Sequence, residues 1–430
     1  MLDMKEIREH LELRDAVQRA ADLKGIPFSV AGLVAADEER RALLLETEEL
    51  RGRRNRYSED ISRIMREGRR EEAEEVKQQV KKVNARLADT EKQLRAAEAH
   101  WTELMLLAPN IVSPDTPEGR SDEDNVEVKR VGEPPVFAYE PKDHVDLGEM
   151  HHLMDLPRGV KTAGTRNYYL TGSGVLLHRA VQQLALDLLA SKGFTLYDVP
   201  LMVRTEALNN TAFFPLGQDQ TFQMAEDNKW LVGTSEVPLV SYYSGEIVEA
   251  AEPIRMAAAS LCFRSEIGSA GRDVRGLYRV HQFAKVEQVV LCEADLEVSE
   301  RLHREITANA EELLQLLELP YRVMAVCTGD MSQKTYKQFD IETWMPSRGA
   351  YGETHSSSNL LDFQARRSNI RYRDREGKLR YCHTLNNTAV ASPRILIPLL
   401  ENHQQEDGSV VIPKALQPYL NGLERLQIQD

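Results

Sequence analysis

The sequence predicts an α+β protein in which an N-terminal antiparallel helical hairpin precedes an antiparallel β-sheet flanked by helices. Three features indicate this: a heptad pattern in the first quarter, a Pro-rich segment after it, and later a succession of strand-like runs with helices set apart. The chain has 430 residues, enough for two or three domains. The strand-like runs do not alternate regularly with helices, as they would in a doubly wound fold.

The hairpin prediction rests on two apolar series. Apolar or small residues recur at steps of three and four from Ala73 to Leu104, and only Thr90 is polar. A second series is spaced by seven residues: Leu43, Leu50, Tyr57 and Ile64. Gly68 lies between the two series and can reverse the chain. We therefore expect a coiled-coil arm over about residues 37–106, with helices of roughly 30 residues and a length of about 45 Å.

The charges of this arm allow two interpretations. Residues 37–106 contain sixteen Lys or Arg and seventeen Asp or Glu, so the arm is nearly neutral in a chain with a net charge of −14. Some of the basic residues are clustered: Arg51, Arg53, Arg54 and Arg56, then Lys77, Lys81, Lys82 and Arg86. The arm is either a solvated coiled coil with salt bridges or a lever that lays basic side chains along RNA.

The chain divides into three parts by composition. Residues 1–108 form the domain that contains the arm, with a short helix near the N-terminus. Residues 109–165 are rich in Pro, Asp and Glu and are predicted to be a linker and lead-in. Residues 166–430 form the second domain.

The second domain combines two clear helices with several strands. The helices are predicted over 175–192 and 296–317 from apolar residues at helical spacing. The predicted strands are 194–199, 229–233, 259–264, 277–283, 286–291, 321–327 and 338–344.

Several classes of protein are disfavoured. The chain has neither a G-x-x-x-x-G-K-[ST] nor a G-x-G-x-x-G motif, which argues against those two modes of nucleotide binding. Its four cysteines form no C-x-x-C pair, so neither a disulfide framework nor a zinc ribbon is expected. Without a membrane-length apolar run or a signal-peptide pattern, no membrane contact and a cytoplasmic location are expected.

The most specific sequence runs from Phe263 to Phe283. It begins with Phe263-Arg264-Ser265-Glu266 and continues into the glycine-rich loop 268–276, which contains Arg272 and Arg275. An arginine at a strand end beside a mobile basic loop suits a bound phosphate, because the guanidinium is a planar fork of donors.

This strand–loop–strand pattern, with F-R-x-E and a downstream H-Q-F, resembles motif 2 of class II aminoacyl-tRNA synthetases. The full string resembles the seryl-tRNA synthetase family of bacterial type, and the similarity extends over nearly the whole chain. Thr234-Ser235-Glu236 is similar to that family's serine-binding T-x-E motif. The three class motifs would lie at about 175–202, 259–290 and 384–403. The helical hairpin is similar to the family's tRNA-binding arm.

The resemblance implies an ATP site. Arg264 would hold the α-phosphate and the serine carboxylate, and Glu266 would fix the adenine or the attacking geometry. Phe283 and Arg394 would stack on the two faces of adenine; with Arg264 and Glu266, Arg394 completes the implied catalytic set. Further implied ATP contacts are Ser265, Val280, Glu353, Thr354, His355 and Ser356. Among them Glu353 and Ser356 are oxygen ligands suited to Mg²⁺.

The resemblance also implies a serine site. Thr234, Ser235 and Glu236 would bind the ammonium group, and Arg264 the carboxylate. Glu287 lies in an apolar strand, where a carboxylate is costly unless paired, so it would accept bonds from the substrate ammonium or hydroxyl. Thr388 would close a hydroxyl-recognising pocket.

The implied reaction is ATP-dependent formation of seryl-adenylate and transfer of the seryl group to tRNA(Ser), and as a family expectation to tRNA(Sec). The tRNA would bind through the arm and the motif 2 loop, and a homodimer would form through motif 1. Because positioning and electrostatics suffice for the first step, His281 and His355 are expected to be structural or positioning residues rather than general bases.

The chain departs from the family pattern in two places. His355 replaces a small residue after Glu353-Thr354, and Ser392-Pro393-Arg394 replaces a G-x-R sequence. We expect Ser392 to cap a helix with Pro393 at its first position, and Pro398 to kink that helix or shift its start.

Three alternatives stay open. One is a synthetase-like ligase that loads an amino acid onto a carrier protein. The second is a class II synthetase for threonine, proline or glycine. The third is a non-catalytic coiled-coil protein with a decayed synthetase domain. The arm counts against the first and the T-x-E motif against the second, whereas retention of Arg264, Glu353 and Arg394 counts against the third.

Overall fold

The computed structural model describes residues 1–225, 227–267, 273 and 275–428. Its internal contacts divide the chain into two compact units. The helical unit contains residues 2–22 and 26–108, and the sheet unit contains residue 1, residues 23–25 and the chain from 109 onward. Among the described residues, no helix is both long and apolar enough to cross a membrane.

The helical unit confirms the predicted hairpin. Its helices are α1 (Met4–Glu9), α2 (Leu11–Leu23), α3 (Val30–Arg66) and α4 (Arg70–Leu107). The chain reverses at Gly68, whose φ of +76° favours glycine. Buried side chains of the two heptad series, among them Leu50, Ile64, Leu87 and Leu94, form the seam. The long helices have 37 and 38 residues, or about 55 Å.

The arm is longer than predicted because α3 begins at Val30. Ser29 caps this helix, and its hydroxyl accepts a hydrogen bond from the Gly32 N–H at 3.2 Å. Near this end Asp37 is fully buried and accepts bonds from Arg8 at 2.5 Å and Arg40 at 2.9 Å. The Arg40 guanidinium also lies 4.5 Å from the ring centroid of Trp101 on α4.

The sheet unit contains eight further helices and seventeen strands within the described residues. The helices are α5 (His144–Met150), α6 (Leu156–Ala163), α7 (Gly172–Ser191), α8 (Thr205–Asn210), α9 (Glu236–Ser241), α10 (Leu296–Leu316), α11 (Phe363–Ser368) and α12 (Leu396–His403). The strands are β1 (Val126–Val131), β2 (Met154–Asp155), β3 (Tyr169–Leu170), β4 (Thr195–Tyr197), β5 (Met202–Arg204), β6 (Lys229–Leu231), β7 (Ile247–Val248), β8 (Ile254–Phe263), β9 (Gln282–Cys292), β10 (Tyr321–Ala325), β11 (Lys337–Met345), β12 (Ala350–Asn359), β13 (Arg371–Arg373), β14 (Leu379–Tyr381), β15 (His383–Ser392), β16 (Val410–Val411) and β17 (Arg425–Leu426).

The main sheet has eight strands in the order β1-β10-β11-β12-β15-β9-β8-β4. All neighbours are antiparallel except β4 and β8, which are parallel. Helices α7 and α10 pack on one face, where Val181, Leu313 and Val290 belong to the largest apolar cluster. A second cluster that includes Val289 and Leu291 lies on the other face. The α+β class and the antiparallel sheet are as predicted.

Two details differ from the predictions. The predicted strands 277–283 and 286–291 correspond to one strand, β9, which begins only at Gln282. Residues 109–165 contain more structure than a linker: β1 pairs with β10 at the sheet edge, and α5 and α6 follow it.

Candidate functional site

The sheet unit contains a cavity of about 320 Å³. The cavity-lining residues come from β9, β12, β15, the start of α9 and the segments 264–266, 277–280 and 330–334. Most of the predicted site residues line it: Thr234, Glu236, Arg264, Glu266, Val280, Phe283, Glu287, Glu353, Thr354, His355, Ser356, Thr388 and Arg394. Residues far apart in sequence therefore meet at one site.

Two predicted residues do not line the cavity. Ser235 is fully buried, and its hydroxyl donates to the carbonyl of Ala258 at 3.4 Å. The Ser265 hydroxyl points away to the carbonyl of Asp219, to which it donates at 2.7 Å. Arg272 lies outside the described residues, and Arg275 pairs with Asp143 and Asp146.

Bulges in two strands give the cavity its polar lining. On β12 the register pairs Glu353 with Glu342 and Ser356 with Asp340, so Thr354 is an extra residue. Because one residue is inserted, Glu353 and Ser356 share a face although they are three positions apart. On β15 a second bulge lets Thr388 face Glu287 while Ala391 faces Lys285.

Arg264 follows β8 and is exposed to solvent. Its guanidinium carbon lies 5.3 Å from the centroid of the Phe283 ring. In the described part of the chain the guanidinium has no hydrogen-bond or ion-pair partner, whereas the backbone of Arg264 bonds to His281. Glu266 adopts a left-handed backbone conformation, with a φ of +53°, and its carboxylate pairs with Arg279 at 2.8 Å. Arg264 is therefore placed to take an anionic ligand.

Arg394 is held more tightly than Arg264. Its Nε donates to the Tyr278 carbonyl at 2.9 Å, and its Nη1 donates to the Glu353 carbonyl at 3.0 Å. The guanidinium carbon lies 4.4 Å from the centroid of the Tyr278 ring. The ring under Arg394 thus belongs to Tyr278, which the sequence did not single out.

The predicted helix start near Arg394 was wrong. Ser392 ends β15 and does not cap a helix, because α12 begins at Leu396. Pro398 then lies in the first turn of α12, where its missing N–H removes no helical hydrogen bond. Of the two predicted effects of Pro398, the structure has the shifted start.

Oxygen ligands cluster beside Arg394. The Glu353 carboxylate is half exposed and lies 3.7 Å from Arg394 Nη1. The Gln338 amide donates to Ser356 Oγ at 3.1 Å and to Asp340 at 2.9 Å. Burial raises the pKa of Asp340 well above its usual range, and the nearby Glu353 charge acts in the same direction. Among the residues described, no group of three or more His, Cys, Asp or Glu side chains is arranged to hold a metal.

Glu236 is the best-anchored acid of the cavity. Its Oε1 accepts three hydrogen bonds, from Lys334 Nζ at 2.6 Å, Gln364 Nε2 at 2.7 Å and Asn386 Nδ2 at 3.0 Å. The Thr234 hydroxyl accepts from the Glu236 N–H at 3.2 Å. Within the described residues nothing donates to Oε2 of Glu236.

Glu287 is the second acid, and it is paired with Lys285 on the same strand. Both side chains are buried. Burial raises the pKa of Glu287, while the Lys285 ammonium opposes this shift. Thr388 lies directly opposite Glu287 on β15, so a hydroxyl and a carboxylate share this part of the cavity.

The two histidines, His281 and His355, differ in exposure: His355 is buried and His281 is partly exposed. Burial lowers the pKa of His355 to about 4, and its Nδ1 lies 2.8 Å from Thr354 Oγ1. His281 Nδ1 lies 3.0 Å from the carbonyl of Arg264. That these histidines are structural or positioning residues stays a prediction.

Sequence reasoning missed several residues of the cavity lining, chiefly Lys285, Lys334, Tyr278, Asp330 and Asn386. Lys285 had a detectable signal, because it alternates with Glu287 and Phe283 on one strand face. Lys334 had none, since it lies in a loop and its partner Glu236 is distant in sequence.

Comparison with known proteins gives consistent matches. A family model described as the seryl-tRNA synthetase N-terminal domain matches residues 1–112, and one described as the tRNA synthetase class II core domain (G, H, P, S and T) matches residues 220–403. A serine--tRNA ligase of Deinococcus radiodurans is 46% identical over 427 residues, covering 99% of each chain. One of Rubrobacter xylanophilus is 43% identical over 422 residues, covering 98% of each chain.

Solved structures agree with these matches. The crystal structure of seryl-tRNA synthetase from Pyrococcus horikoshii complexed with ATP has a TM-score of 0.88 and 36% identity, covering 100% of each chain. The cytoplasmic serine-tRNA ligase of Naegleria fowleri in complex with AMP has a TM-score of 0.84 and 25% identity, covering 100% of this chain and 99% of that one.

Proposed function

The chain belongs to the seryl-tRNA synthetase family, and we propose how its cavity residues activate L-serine with ATP and charge tRNA(Ser). The order of side chains along β9 supports the assignment best. Phe283, Lys285 and Glu287 point to the same face, and the span from Phe283 to Glu287 is about 13 Å. A nucleotide and an amino acid can lie along this strand, with Arg264 where the two meet.

In the proposed first step, Arg264 binds both the serine carboxylate and the α-phosphate. A carboxylate oxygen bonds to the α-phosphorus while the bond to the pyrophosphate oxygen breaks. Arg264 offsets the negative charge that grows on the phosphate oxygens, and no covalent bond to the protein is required. Phe283 and Arg394 stack on the adenine, with Val280, Thr354 and His355 as further contacts and Glu266 fixing the geometry.

In the proposed serine site, Thr234 and Oε2 of Glu236 take the ammonium, and Glu287 and Thr388 take the hydroxyl. A substrate without that hydroxyl would offer no partner to the Thr388 hydroxyl and would leave Glu287 with Lys285 alone, so alanine is rejected strongly. In the second step the 3′-terminal ribose hydroxyl of tRNA bonds to the seryl carbonyl carbon, and AMP leaves.

We propose that Mg²⁺ is held by Glu353 and Ser356. The β12 bulge brings these two oxygen ligands to one face, which fits an ion that takes few protein ligands and fills its shell with phosphates and water. When bound, the ion would offset phosphate charge. Gln338 and Asp340 would orient Ser356, and Arg394 would fix the β12 backbone at Glu353.

The arm is proposed to bind tRNA(Ser), and with it tRNA(Sec). Exposed basic residues on both helices support this: Arg53, Arg56, Lys81 and Lys82. Replacing these four by Gln should raise the KM for tRNA at least about tenfold, because phosphate contacts dominate affinity. Serine-dependent pyrophosphate exchange should be unchanged. Replacing the exposed Glu48, Glu49, Glu59 and Glu75 by Gln is the matched control.

A homodimer is proposed to form through α7, β4 and β5. Leu176, Leu196 and Met202 are exposed there, and β4 lies at the edge of the main sheet. Sedimentation equilibrium should give twice the chain mass, and Leu196→Lys should weaken the association. A monomeric wild-type chain would contradict this.

The assignment of residues 166–430 as the catalytic domain and a cytoplasmic site of action likewise stay proposals.

The decisive experiment measures pyrophosphate exchange with each amino acid together with charging of total tRNA. Exchange and charging with serine are expected. Exchange with threonine or glycine but not serine would overturn the amino-acid assignment. Serine exchange without charging would favour a ligase for another acceptor.

A further inference from the structure

Lys334 is a buried ammonium inside the cavity that the proposed reaction does not use. Its Nζ lies 2.6 Å from Glu236 Oε1 and 3.8 Å from the centroid of the Phe213 ring. Burial lowers the pKa of Lys334, and the Glu236 carboxylate acts against this shift. A buried lysine is costly unless it is paired, so its position in the substrate cavity calls for a reason.

The backbone around Lys334 is fixed on both sides. Lys24 Nζ is buried and donates to the carbonyls of Gln333 at 3.3 Å and Thr335 at 2.7 Å. Asn110 Nδ2 donates to the carbonyl of Lys334 itself at 3.0 Å. Three consecutive carbonyls are therefore held by buried side chains, and Lys334 emerges from a rigid segment.

The contacts of Glu236 are one-sided. All three of its side-chain donors converge on Oε1, and in the described part of the chain none reaches Oε2. A carboxylate anchored by one oxygen has a defined orientation for the other, and Glu236 lines the cavity. The substrate ammonium can then meet a preformed acceptor.

We propose that Lys334 is a positioning residue for the amino-acid site: it holds Glu236 turned so that Oε2 receives the serine ammonium. The inference rests on the proposed serine site. Lys334 also balances charge. Glu236 and Glu287 face Lys334 and Lys285, so these four side chains include two of each sign. Arg264 faces the carboxylate of serine, and serine enters as a zwitterion without leaving a buried charge unmatched.

The test is Lys334→Met, which keeps an apolar stem over Phe213 and removes the charge. The KM for serine should rise roughly 10- to 100-fold, the size expected for losing a hydrogen bond to a charged group. The KM for ATP should stay within about twofold, because Lys334 acts only on Glu236 in this scheme. With one of its three donors gone, Glu236 is less firmly oriented for the serine ammonium, so the serine KM should change more than the kcat of exchange.

A matched control exists in the same segment. Lys337 is also paired, with Asp115 at 2.5 Å and Glu300 at 3.1 Å, and it lies 5.7 Å from the Phe339 ring centroid. It does not line the cavity, so Lys337→Met should lower stability without changing the serine KM. If Lys334→Met does not fold, Lys334→Gln keeps a donor without a charge and should raise the serine KM by a smaller factor.

The outcomes separate this inference from the proposed function. No serine-dependent exchange by the wild-type chain overturns the function itself. Normal exchange by the wild type, with an unchanged serine KM in both Lys334 variants, overturns only the role of Lys334. Equal rises of the serine and ATP KM values would mean a structural role and would also overturn it.

Discussion

The seam of the helical arm contains two buried threonines that differ in one hydrogen bond. Thr47 and Thr90 are both fully buried, and each lies about three heptads from Gly68. The Thr47 hydroxyl donates to the carbonyl of Leu43 at 2.8 Å. The Thr90 hydroxyl has no hydrogen-bond partner among the described residues. We predict that Thr90→Val stabilises the arm.

The magnitude follows from the cost of burying an unpaired hydroxyl, about 1–3 kcal/mol in protein mutational data. Valine has nearly the shape of threonine, so no cavity forms. We expect a gain of about 1 kcal/mol in the local opening free energy. Amide hydrogen exchange in peptides that cover residues 43–50 and 87–94 should then slow by about fivefold.

Thr47→Val is the control, because it also places valine in the seam but removes a hydroxyl that is already paired. Thr47→Val should change the rate of amide hydrogen exchange in these peptides by less than about twofold. Serine-dependent pyrophosphate exchange should be unchanged in both variants, since neither residue lines the cavity. Faster amide hydrogen exchange in Thr90→Val, or an equal slowing of it in Thr47→Val, would refute the reasoning.

Three further predictions concern the sheet unit. Arg264→Ala should lower serine-dependent pyrophosphate exchange by roughly 100-fold or more without lowering the melting temperature, and an unfolded variant would contradict this. Burial lowers the pKa of His303 to about 4. Between pH 6.5 and pH 4 the imidazole of His303 is therefore protonated in the unfolded chain but neutral in the folded one, and the free energy of unfolding falls as the pH falls through that range. In His303→Phe the difference between the free energies of unfolding at pH 7 and pH 4, measured with urea, should be smaller by on the order of 3 kcal/mol. An unchanged difference would count against this prediction. Thr388→Val should raise the KM for serine about tenfold and narrow the preference for serine over alanine, which exchange assays with both amino acids would measure.

The arm could be predicted from sequence because its information is local. Heptad spacing marks the buried face of each helix whatever the rest of the chain does, and glycine marks the reversal. The start of α3 was missed because its N-cap, Ser29, lies well before Leu43, the first residue of the heptad series. Arg264 and Phe283 were singled out through motif resemblance and Glu287 as a carboxylate in an apolar strand, and all three line the cavity.

The remaining parts of the cavity depend on tertiary contacts. The bulges at Thr354 and Ala389 add one residue to a strand, and nothing in the local pattern distinguishes them from regular alternation. The contact of Lys334 with Glu236 joins a loop to a helix start almost one hundred positions away. The start of α12 depended on how far β15 continues, which its pairing with β9 determines.

The two bulges also have a consequence for how this cavity can change. In each strand the bulge shifts by one residue the alternation of side chains between the two faces of the sheet. The half of the strand at the cavity and the half that packs on the helices therefore follow different alternations. Removing Thr354 or Ala389 would restore a regular ladder and turn the residues beyond it to the opposite face, so several ligand contacts would be exchanged at once for core side chains. Substitutions alter one contact at a time. For engineering of substrate preference, the cavity strands therefore tolerate changes of residue type but not of length.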